Sequence, residues 1–380
     1  MRLAFPQSPR STLGIEWELQ CVDRRSGELR PAAPDILARL SNDTSQYPHA
    51  TAEFQTNTVE LASAPHIRVG DAVADLALVL ERVQEAAEPL GVDLVGAGTH
   101  PFSEWFRQHL TPGKPRYEKV MERAQWWARQ MLIWGVHVHV GVDDKQKVIP
   151  ILNALLTYFP HFQALSASSP YWVGDNTGYA SNRALIYQQL PTAGLPPAFA
   201  DWEEYESMVG DLVRTGVIDE PSELRWDIRP SIKWGTIEVR VFDSVATLEE
   251  VGCLAALTQC LVEELSTQFD EGLELPSLQY WFLRENKWRA ARYGLEAEII
   301  TSRAGAQAPV RDELRALAHR LEPVAARLGC LDELRFVDVI LDRGAGYERQ
   351  LAYAAEQGGS LRAVVASLVD ETRDGLTKTR

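Results

Sequence analysis

Three segments of the chain, at 13–22, 134–142 and 236–242, alternate between apolar and polar residues. A period of two predicts β-strands that bury one face. On their polar faces these strands carry ionisable side chains in pairs, namely Glu16 and Glu18, His137 and His139, and Glu238 and Arg240. A single strand of this kind most often exposes its polar face to water. Three of them together favour a sheet whose polar face lines a binding site.

A fourth segment, 52–62, adds Glu53 and Glu60 to these ionisable residues. The two glutamates are separated by an odd number of positions, so one regular strand would place them on opposite faces. A turn or bulge near Thr56 and Asn57 would bring both carboxylates to one side. We expect that interruption because a shared site requires it, although no residue pattern signals it.

Helical spacing of apolar residues dominates the remaining segments. Between the strands it predicts helices at 69–90, 115–131, 149–165 and 202–214. After a capping-box sequence at 247–250, the chain is almost entirely helical, with helices expected at 248–269, 278–293, 310–328, 347–356 and 361–372. Strands mixed with helices, followed by a helical end, predict an α+β fold. We expect one domain of residues 1–380, with 248–380 as its mostly helical third.

The segment 166–183 combines small, polar and aromatic residues and ends in Tyr179, Asn182 and Arg183. Loops of this composition often contact ligands. A solvated connection with Trp172 packed in the core would explain the pattern equally well. Together with Arg229, further along the chain, Arg183 could hold a carboxylate or stabilise a transferring phosphoryl group.

The composition argues against several classes of protein. The chain has 380 residues, of which 45% are apolar and 24% charged, a formal net charge of −15 and a pI near 5.1. Such acidity argues against nucleic-acid binding through phosphates. The four cysteines form neither a zinc nor a disulfide pattern, which suits a reducing compartment. With no signal peptide or membrane span evident, we expect a cytoplasmic protein without nucleic-acid or membrane partners. We also expect a homodimer, although no residue pattern indicates one.

The ionisable residues suit a site that handles metals and phosphates. Five glutamates and a histidine form an oxygen-rich set that favours Mg²⁺ or Mn²⁺ over zinc: Glu16, Glu18, Glu53, Glu60, Glu238 and His137. So many carboxylates around one cavity would repel each other unless cations neutralise them. Two or three divalent ions would hold a polyphosphate, and Arg240 could bind its oxygens bidentately. The chain has no P-loop, so ATP would need a different cradle.

Five runs of residues, in collinear order over roughly the whole chain, resemble the YbdK-type carboxylate–amine ligases. These are also called type 2 glutamate–cysteine ligases, within the glutamine synthetase-like superfamily. The runs are 13–19, 135–141, 177–183, 236–241 and 288–295. The resemblance implies a glutamine synthetase-like catalytic domain, in which an antiparallel sheet curves around an ATP and metal site with helices on its outer side.

The resemblance also implies a reaction and a set of roles. ATP would phosphorylate the γ-carboxylate of glutamate, and the amine of cysteine would displace phosphate to give γ-glutamylcysteine. By position, the six metal-site residues named above match metal ligands. His139 and Arg240 match positions near the ATP phosphates, and Arg240 and Arg183 would act in catalysis. Substrate contacts would come from Tyr179, Asn182, Arg183 and Arg229.

One departure and three alternatives accompany the resemblance. The family motif usually has a third glutamate where this chain has Trp17. That position faces away from the site on a strand, so we expect little effect on metal binding. The same chemistry could serve another amine or acid. A guanidino-kinase-like phosphotransferase or a binding protein without turnover are further alternatives. In the ligase, we expect the 166–183 loop to close over the acyl phosphate, because water would hydrolyse it.

Overall fold

A seven-stranded sheet lies at the centre of the fold. The computed structural model describes residues 2–40 and 47–378. In chain order the strands are β1 (Leu13–Asp23), β2 (His49–Ala52), β3 (Thr58–Ala62), β4 (Val92–Val95), β5 (Gly135–Gly141), β6 (Tyr171–Trp172), β7 (Asp175–Asn176), β8 (Ala193–Gly194), β9 (Arg225–Trp226), β10 (Ile228–Ser231), β11 (Thr236–Asp243), β12 (Glu298–Ile300) and β13 (Gln307–Pro309).

Helices surround this sheet and make up most of the C-terminal third. They are α1 (Ala33–Arg39), α2 (Val69–Ala87), α3 (Pro115–Arg129), α4 (Lys145–Leu155), α5 (Phe159–Ser166), α6 (Asn182–Tyr187), α7 (Trp202–Arg214), α8 (Leu248–Asp270), α9 (Tyr280–Tyr293), α10 (Val310–Leu328), α11 (Leu331–Arg343), α12 (Gly346–Glu356) and α13 (Leu361–Lys378). The α+β fold predicted from the sequence is confirmed.

The central sheet is antiparallel and has the order β10-β11-β5-β1-β3-β2, with β4 pairing the second half of β1. The register places Glu16 opposite His137, and Glu238 opposite His139. Residues that oppose each other across antiparallel strands point to the same face. The alternation in three separate segments therefore becomes one polar face.

The other face of the sheet is apolar and packs against α2 and α8. Trp17 lies on this face and is fully buried. Its indole N–H is shared between the hydroxyl oxygen of Ser244, at 3.1 Å, and the carbonyl of Val245, at 3.2 Å. The expectation that residue 17 faces away from the site is thus confirmed. The indole N–H is thus hydrogen-bonded within the apolar layer, as a buried polar atom requires.

The capping box predicted at the start of α8 is present, with Thr247 and Glu250 as its two side chains. Other helical regions differ from the prediction. Helices α6 and α11 were not predicted, and the short β12–β13 hairpin interrupts the otherwise helical end. The helix expected at 149–165 is divided into α4 and α5 by a 3₁₀ turn at Leu156–Tyr158. This combined stretch, Lys145–Ser166, is long and apolar enough to cross a membrane, but 78% of its apolar window is buried in the protein, as in a core helix.

His100, in the turn after β4, is held as a neutral imidazole. Its Nδ1 accepts the backbone N–H groups of Phe102, at 3.2 Å, and Ser103, at 2.9 Å. Its Nε2 therefore carries the proton and donates to the carbonyl of Gly27 at 2.9 Å. Burial lowers the pKa of His100 to about 4. Burial and the two hydrogen bonds that Nδ1 accepts therefore favour the neutral imidazole in this turn, which lies outside the polar face of the sheet.

Candidate active site

The polar face of the sheet brings together predicted residues from four segments of the chain. Glu16 and Glu18 come from β1, His137 and His139 from β5, Glu60 from β3, and Glu238 and Arg240 from β11. Glu60 also stands directly opposite Glu18 in the register. The interruption expected before Glu60 is a hairpin turn, because β2 ends at Ala52 and β3 begins at Thr58. Glu53 lies in that turn and faces the same side of the sheet, where it shares a cavity with Glu18.

Two groups of side chains on this face have the spacing of metal sites. Glu16, Glu60 and His137 form one group, and Glu16, His139 and Glu238 form the other. The ligand atoms of each group lie within 4.8 Å of one another. Glu16 belongs to both groups, which places the two sites side by side. Their oxygen-rich composition suits Mg²⁺ or Mn²⁺.

An unsatisfied imidazole nitrogen supports the metal interpretation. His137 is buried, and its Nδ1 bonds the Glu16 carboxylate at 3.0 Å. Its Nε2 has no hydrogen-bond partner among the described residues, and the nearest carboxylate oxygen, from Glu18, is 4.0 Å away. A buried polar atom without a partner costs free energy unless something else binds it. A cation at this position would supply the missing interaction.

The electrostatics of the carboxylates also fit bound cations. Burial raises the pKa of Glu18 to about 7, and the charge of Glu53 adds to that rise. Burial, together with the charges of Glu16 and Glu53, raises the pKa of Glu60 well above its ordinary value. For Glu16 itself, burial would raise the pKa, but the interactions with His137 and His139 together outweigh burial and lower it. The cluster thus contains more carboxylate charge than its histidines compensate.

Two arginines hold Glu238. Arg229 binds its carboxylate bidentately, with Nε at 2.7 Å and Nη2 at 3.3 Å, and Arg240 makes a second ion pair. Burial would raise the pKa of Glu238, but these two charges lower it well below its ordinary value. In the structure Arg229 binds Glu238 and also lines a cavity beside the cluster, so the substrate contact expected of it stays a prediction. Arg240 keeps a buried Nε without a hydrogen-bond partner among the described residues.

His139 lies between the carboxylates of the second metal group. Its Nδ1 bonds the Thr236 hydroxyl at 2.9 Å, and its Nε2 is 3.6 Å from Glu16 and 3.8 Å from Glu238. The charges of Glu238 and Glu16 raise its pKa against the opposing effect of burial. His139, which was expected near the ATP phosphates, is therefore also close enough to these carboxylates to share a metal ion with them.

Arg183 reaches the site from helix α6. It is only 4% exposed, and its Nη1 donates to the carbonyls of Arg240, at 3.3 Å, and Val241, at 3.5 Å. Its guanidinium lies directly over Gly135, where an added Cβ would be 2.2 Å from Nη2. The Gly135 N–H in turn donates to Glu18 at 2.6 Å. The glycine of β5 is therefore what allows Arg183 to approach the glutamates.

The loop before Arg183 is anchored to the end of β11. Asp243 accepts hydrogen bonds from the Ser168 N–H at 3.0 Å, the Ser169 hydroxyl at 2.6 Å and the Ser181 hydroxyl at 2.9 Å. Trp172 is half-buried against a small apolar cluster, so the core interpretation of this residue agrees with the structure. The anchor fixes both ends of the loop, and its closure over substrate stays a prediction.

Tyr179 and Asn182 are not brought into the site. Tyr179 lies under the guanidinium of Arg292, whose centre is 5.6 Å from the ring, and neither residue lines the cavity beside the carboxylates. The backbone N–H of Asn182 donates to the Ser169 carbonyl at 3.3 Å where α6 begins. The segment that contains Tyr179 and Asn182 thus positions Arg183. The substrate contacts expected of these two residues would have to be made outside this cavity.

Cavities adjoin the cluster on two sides. One, of about 120 Å³, is lined by Glu18, Glu53, His137, Arg183, Arg229 and Arg240, together with Arg116, Tyr117, Tyr187 and Arg225. The other, of about 160 Å³, lies beside Glu16, His139 and Thr236 and includes Tyr47 and Trp234. A larger cavity of about 810 Å³, between α2 and α13, contains none of the predicted site residues. The chemistry therefore lies with the two smaller cavities.

Sequence reasoning missed several of these lining residues. Tyr187 follows Arg183 by one helical turn, and Thr236 precedes Glu238 by two positions on the same strand face, so both could have been found from periodicity. Arg116, Tyr117 and Arg225 come from segments without any strand or motif signal. Only the fold places them against the sheet.

Comparison with known proteins identifies the family. The model for glutamate–cysteine ligase family 2 matches residues 12–367. The chain belongs to that family. It is 60% identical over 376 residues to a protein provisionally named glutamate–cysteine ligase 2 from Clavibacter michiganensis subsp. michiganensis, covering 99% of this chain and 98% of the relative. A relative of the same provisional name from Leifsonia xyli subsp. xyli is 54% identical over 376 residues, covering 99% of each chain.

Solved structures share the fold of this family member. The glutamate–cysteine ligase of Francisella tularensis in complex with AMP matches with a TM-score of 0.72 and 15% identity, covering 99% of this chain and 90% of that one. A bifunctional glutathione synthetase from Pasteurella multocida matches with a TM-score of 0.69 and 16% identity, covering 96% of this chain and 52% of that one. The family makes the chain an ATP-dependent carboxylate–amine ligase. The reaction class expected from the sequence is confirmed.

Proposed function

We propose that this ligase joins the γ-carboxylate of glutamate to the amine of cysteine, with ADP and phosphate as the other products. The observation that carries the proposal is the adjacency of a carboxylate–imidazole cluster and an arginine-lined cavity on one face of the sheet. The names of the relatives supply the two substrates. We further propose that residues 1–380 act as one domain, because sheet and helices share a hydrophobic core.

The two cavities suit different parts of the reactants. The cavity with Tyr47 and Trp234, whose rings are 6.5 Å apart, offers aromatic and apolar contacts of the kind that bind a nucleobase. The arginine-lined cavity offers the charges that bind the carboxylates of an amino acid. Between them lies the cluster, so we infer that the ATP phosphates extend across it toward glutamate.

The chain offers two places for divalent cations along that path. Glu16, Glu60 and His137 would hold one ion, and Glu16, His139 and Glu238 a second. Glu18 and Glu53 line the adjoining cavity together with His137, and they would be available to a third ion. Such ions, when bound, neutralise phosphate oxygens and polarise the phosphoryl group that is transferred.

The chain's own side chains would then carry out three tasks. Arg240, through its free Nε, would bind the oxygens of the transferring phosphoryl group while Arg229 continues to hold Glu238. Arg183 would orient the glutamate carboxylate that becomes phosphorylated. The amine must lose a proton to attack, and Glu18 and Glu53 are the carboxylates that face this cavity. Enclosure of the cavity would protect the acyl phosphate from water.

Phosphate release tests the proposal. Purified protein is given MgATP and glutamate, with cysteine and other amines in turn as second substrate, and the products are identified by mass. We expect release that requires both glutamate and cysteine, with a product of the mass of γ-glutamylcysteine. Release with another amine would keep the reaction class and change the substrate. ADP without free phosphate, alongside a phosphorylated acceptor, would contradict the proposal in favour of a phosphotransferase.

A further inference from the structure

An outer cavity of about 410 Å³ meets the arginine-lined cavity of the site. It lies between α3 and the segment 219–225. Four residues line both cavities, namely Arg116, Val120, Leu190 and Arg225. Two arginines and two aliphatic side chains therefore form the boundary between the outer cavity and the site. Any molecule that passes from one to the other passes these residues.

The other cations of the outer cavity are already paired. Lys119 makes ion pairs with Asp219 and, at 3.2 Å, with Glu223, while Arg123 lies 3.6 Å from Glu223. In contrast, within residues 2–40 and 47–378, neither Arg116 nor Arg225 has a carboxylate oxygen within 4.0 Å of its guanidinium. Their unpaired charges meet where the two cavities join.

Arg225 is the more confined of the two. Its Nη1 reaches only backbone carbonyls, that of Glu223 at 3.1 Å and that of Pro191 at 3.5 Å. Burial lowers its pKa, and the neighbouring charge of Arg116 adds to that effect. Holding a half-buried guanidinium without a carboxylate is unfavourable for the isolated protein. An anionic ligand group would compensate it and would bind in the planar, bidentate geometry that guanidinium favours.

The position of this pair assigns it to one substrate. The carboxylate that is phosphorylated must lie near Arg240 and the cluster, which is the inner end of the cavity. The amine attacks after phosphorylation, by adding to a face of the acyl group before phosphate leaves, and so needs a route to the acyl carbon that ATP does not occupy. The outer cavity, which meets the inner one at Arg116 and Arg225, provides such a route. The unpaired arginines thus stand where the second substrate would enter, not where ATP would bind.

We infer that Arg225, assisted by Arg116, binds a carboxylate of the acceptor amine, so that the acceptor is an amino acid and not a simple amine. This inference rests on the proposed ligase function but does not depend on cysteine being the acceptor. It names a determinant of specificity that the motifs of the sequence do not contain. A carboxylate held at the boundary would leave the adjacent amino group pointing into the inner cavity.

Pairs of acceptors that differ only by a carboxylate test the inference. Cysteine is compared with cysteamine, alanine with ethylamine, and tyrosine with tyramine, by kcat/KM for the acceptor at saturating MgATP and glutamate. For the acceptor that is used we expect a ~10- to ~10²-fold preference for the amino acid, which corresponds to the about 1.5–3 kcal/mol of a charged hydrogen-bond pair. In Arg225→Gln that preference should fall at least ~10-fold, and Arg225→Lys should restore part of it.

Controls separate this role from a structural one. Arg214→Gln, an exposed arginine paired with Asp211 on α7 that lines neither cavity, should keep the wild-type preference. Equal losses for amino acid and amine in Arg225→Gln, or an increase in the KM of glutamate alone, would overturn the inference. So would a wild-type enzyme that uses both members of a pair equally well. If wild-type protein releases no phosphate with any amine, the proposed function fails, and calorimetric binding of the same pairs decides the inference: equal binding, or none, overturns it.

Discussion

Substitution of Gly135 by alanine tests how closely the site depends on the approach of Arg183. The added Cβ would be 2.2 Å from Nη2 of Arg183 and 3.0 Å from the carbonyl oxygen of Phe242. Ordinary contacts begin at 3.4 Å, so the guanidinium must retreat by roughly 1.2 Å. It cannot retreat freely, because it is buried and bonded to the carbonyls of residues 240 and 241.

The expected magnitudes follow from this displacement. Overpacking of a filled interior costs about 1–3 kcal/mol of stability. Displacement of a positioning group by ~1 Å costs about 10²-fold in rate. We therefore expect Gly135→Ala to fold, to unfold at a lower denaturant concentration than wild type, and to lose about two orders of magnitude in kcat/KM. Gly14→Ala, on the neighbouring strand, serves as the stability control, because an added Cβ there meets no atom within 4 Å.

A double-mutant cycle assigns the effect to Arg183. In Arg183→Ala the clashing group is absent, so Gly135→Ala should cost less than about 1 kcal/mol in that background. Stability is measured by urea denaturation, and activity by phosphate release. The double variant should be no less active than Arg183→Ala alone. Equal destabilisation in both backgrounds would refute the clash, and near-wild-type activity of Gly135→Ala would refute the requirement for Arg183 at this position.

Three further predictions concern the metals, the phosphates and pH. Glu16→Gln should weaken both metal sites whereas Glu60→Gln weakens one, which Mn²⁺ titration followed by electron paramagnetic resonance would distinguish; equal loss in the two variants contradicts the shared role of Glu16. Arg240→Ala should lower kcat by about 10²-fold or more with folding retained, and an unchanged rate would remove its phosphate role. The pKa of His100, about 4, lies below that of an unfolded histidine, so the unfolded state binds more protons between the two values and stability falls as pH decreases through that window. In urea denaturation from pH 6.5 to 4, the loss of stability should be smaller in His100→Gln than in wild type by roughly 3 kcal/mol, which is the contribution of His100 alone.

The site residues on strands could be predicted because they recur at every second position of an alternating apolar and polar pattern. Glu16, His137 and Glu238 alternate with residues that must be buried, and the alternation survives in the structure because one face of the sheet packs on helices. The same alternation predicted that Trp17 lies on the buried face of the sheet. The turn after Glu53 was inferred only from the need to bring two carboxylates together, since its own residues do not specify a hairpin.

The site residues outside the central strands could not be predicted from any local sequence pattern. Arg225 follows a 3₁₀ turn and Arg116 is the second residue of helix α3, and neither position repeats with a period that marks a shared face. They meet because α3 and the segment 219–225 line opposite sides of the same cavity. Arg229 shows a different difficulty. Its sequence position suggested a substrate contact, but did not reveal that Glu238, directly opposite on the neighbouring strand, binds its guanidinium bidentately while Arg229 also lines the cavity.

The charge balance of the site explains why these features occur together. Glu238 is compensated by Arg229 and Arg240 within the protein, whereas Glu18 and Glu60 keep raised pKa values and Arg225 a lowered one. Uncompensated carboxylates lie on the sheet, and uncompensated guanidinium groups lie at the outer boundary of the cavity. Free cations would neutralise the first set and substrate carboxylates the second. An isolated protein with both sets unpaired is less stable than it could be, and binding of metal–nucleotide and amino acid would remove that cost at the place where the reaction occurs.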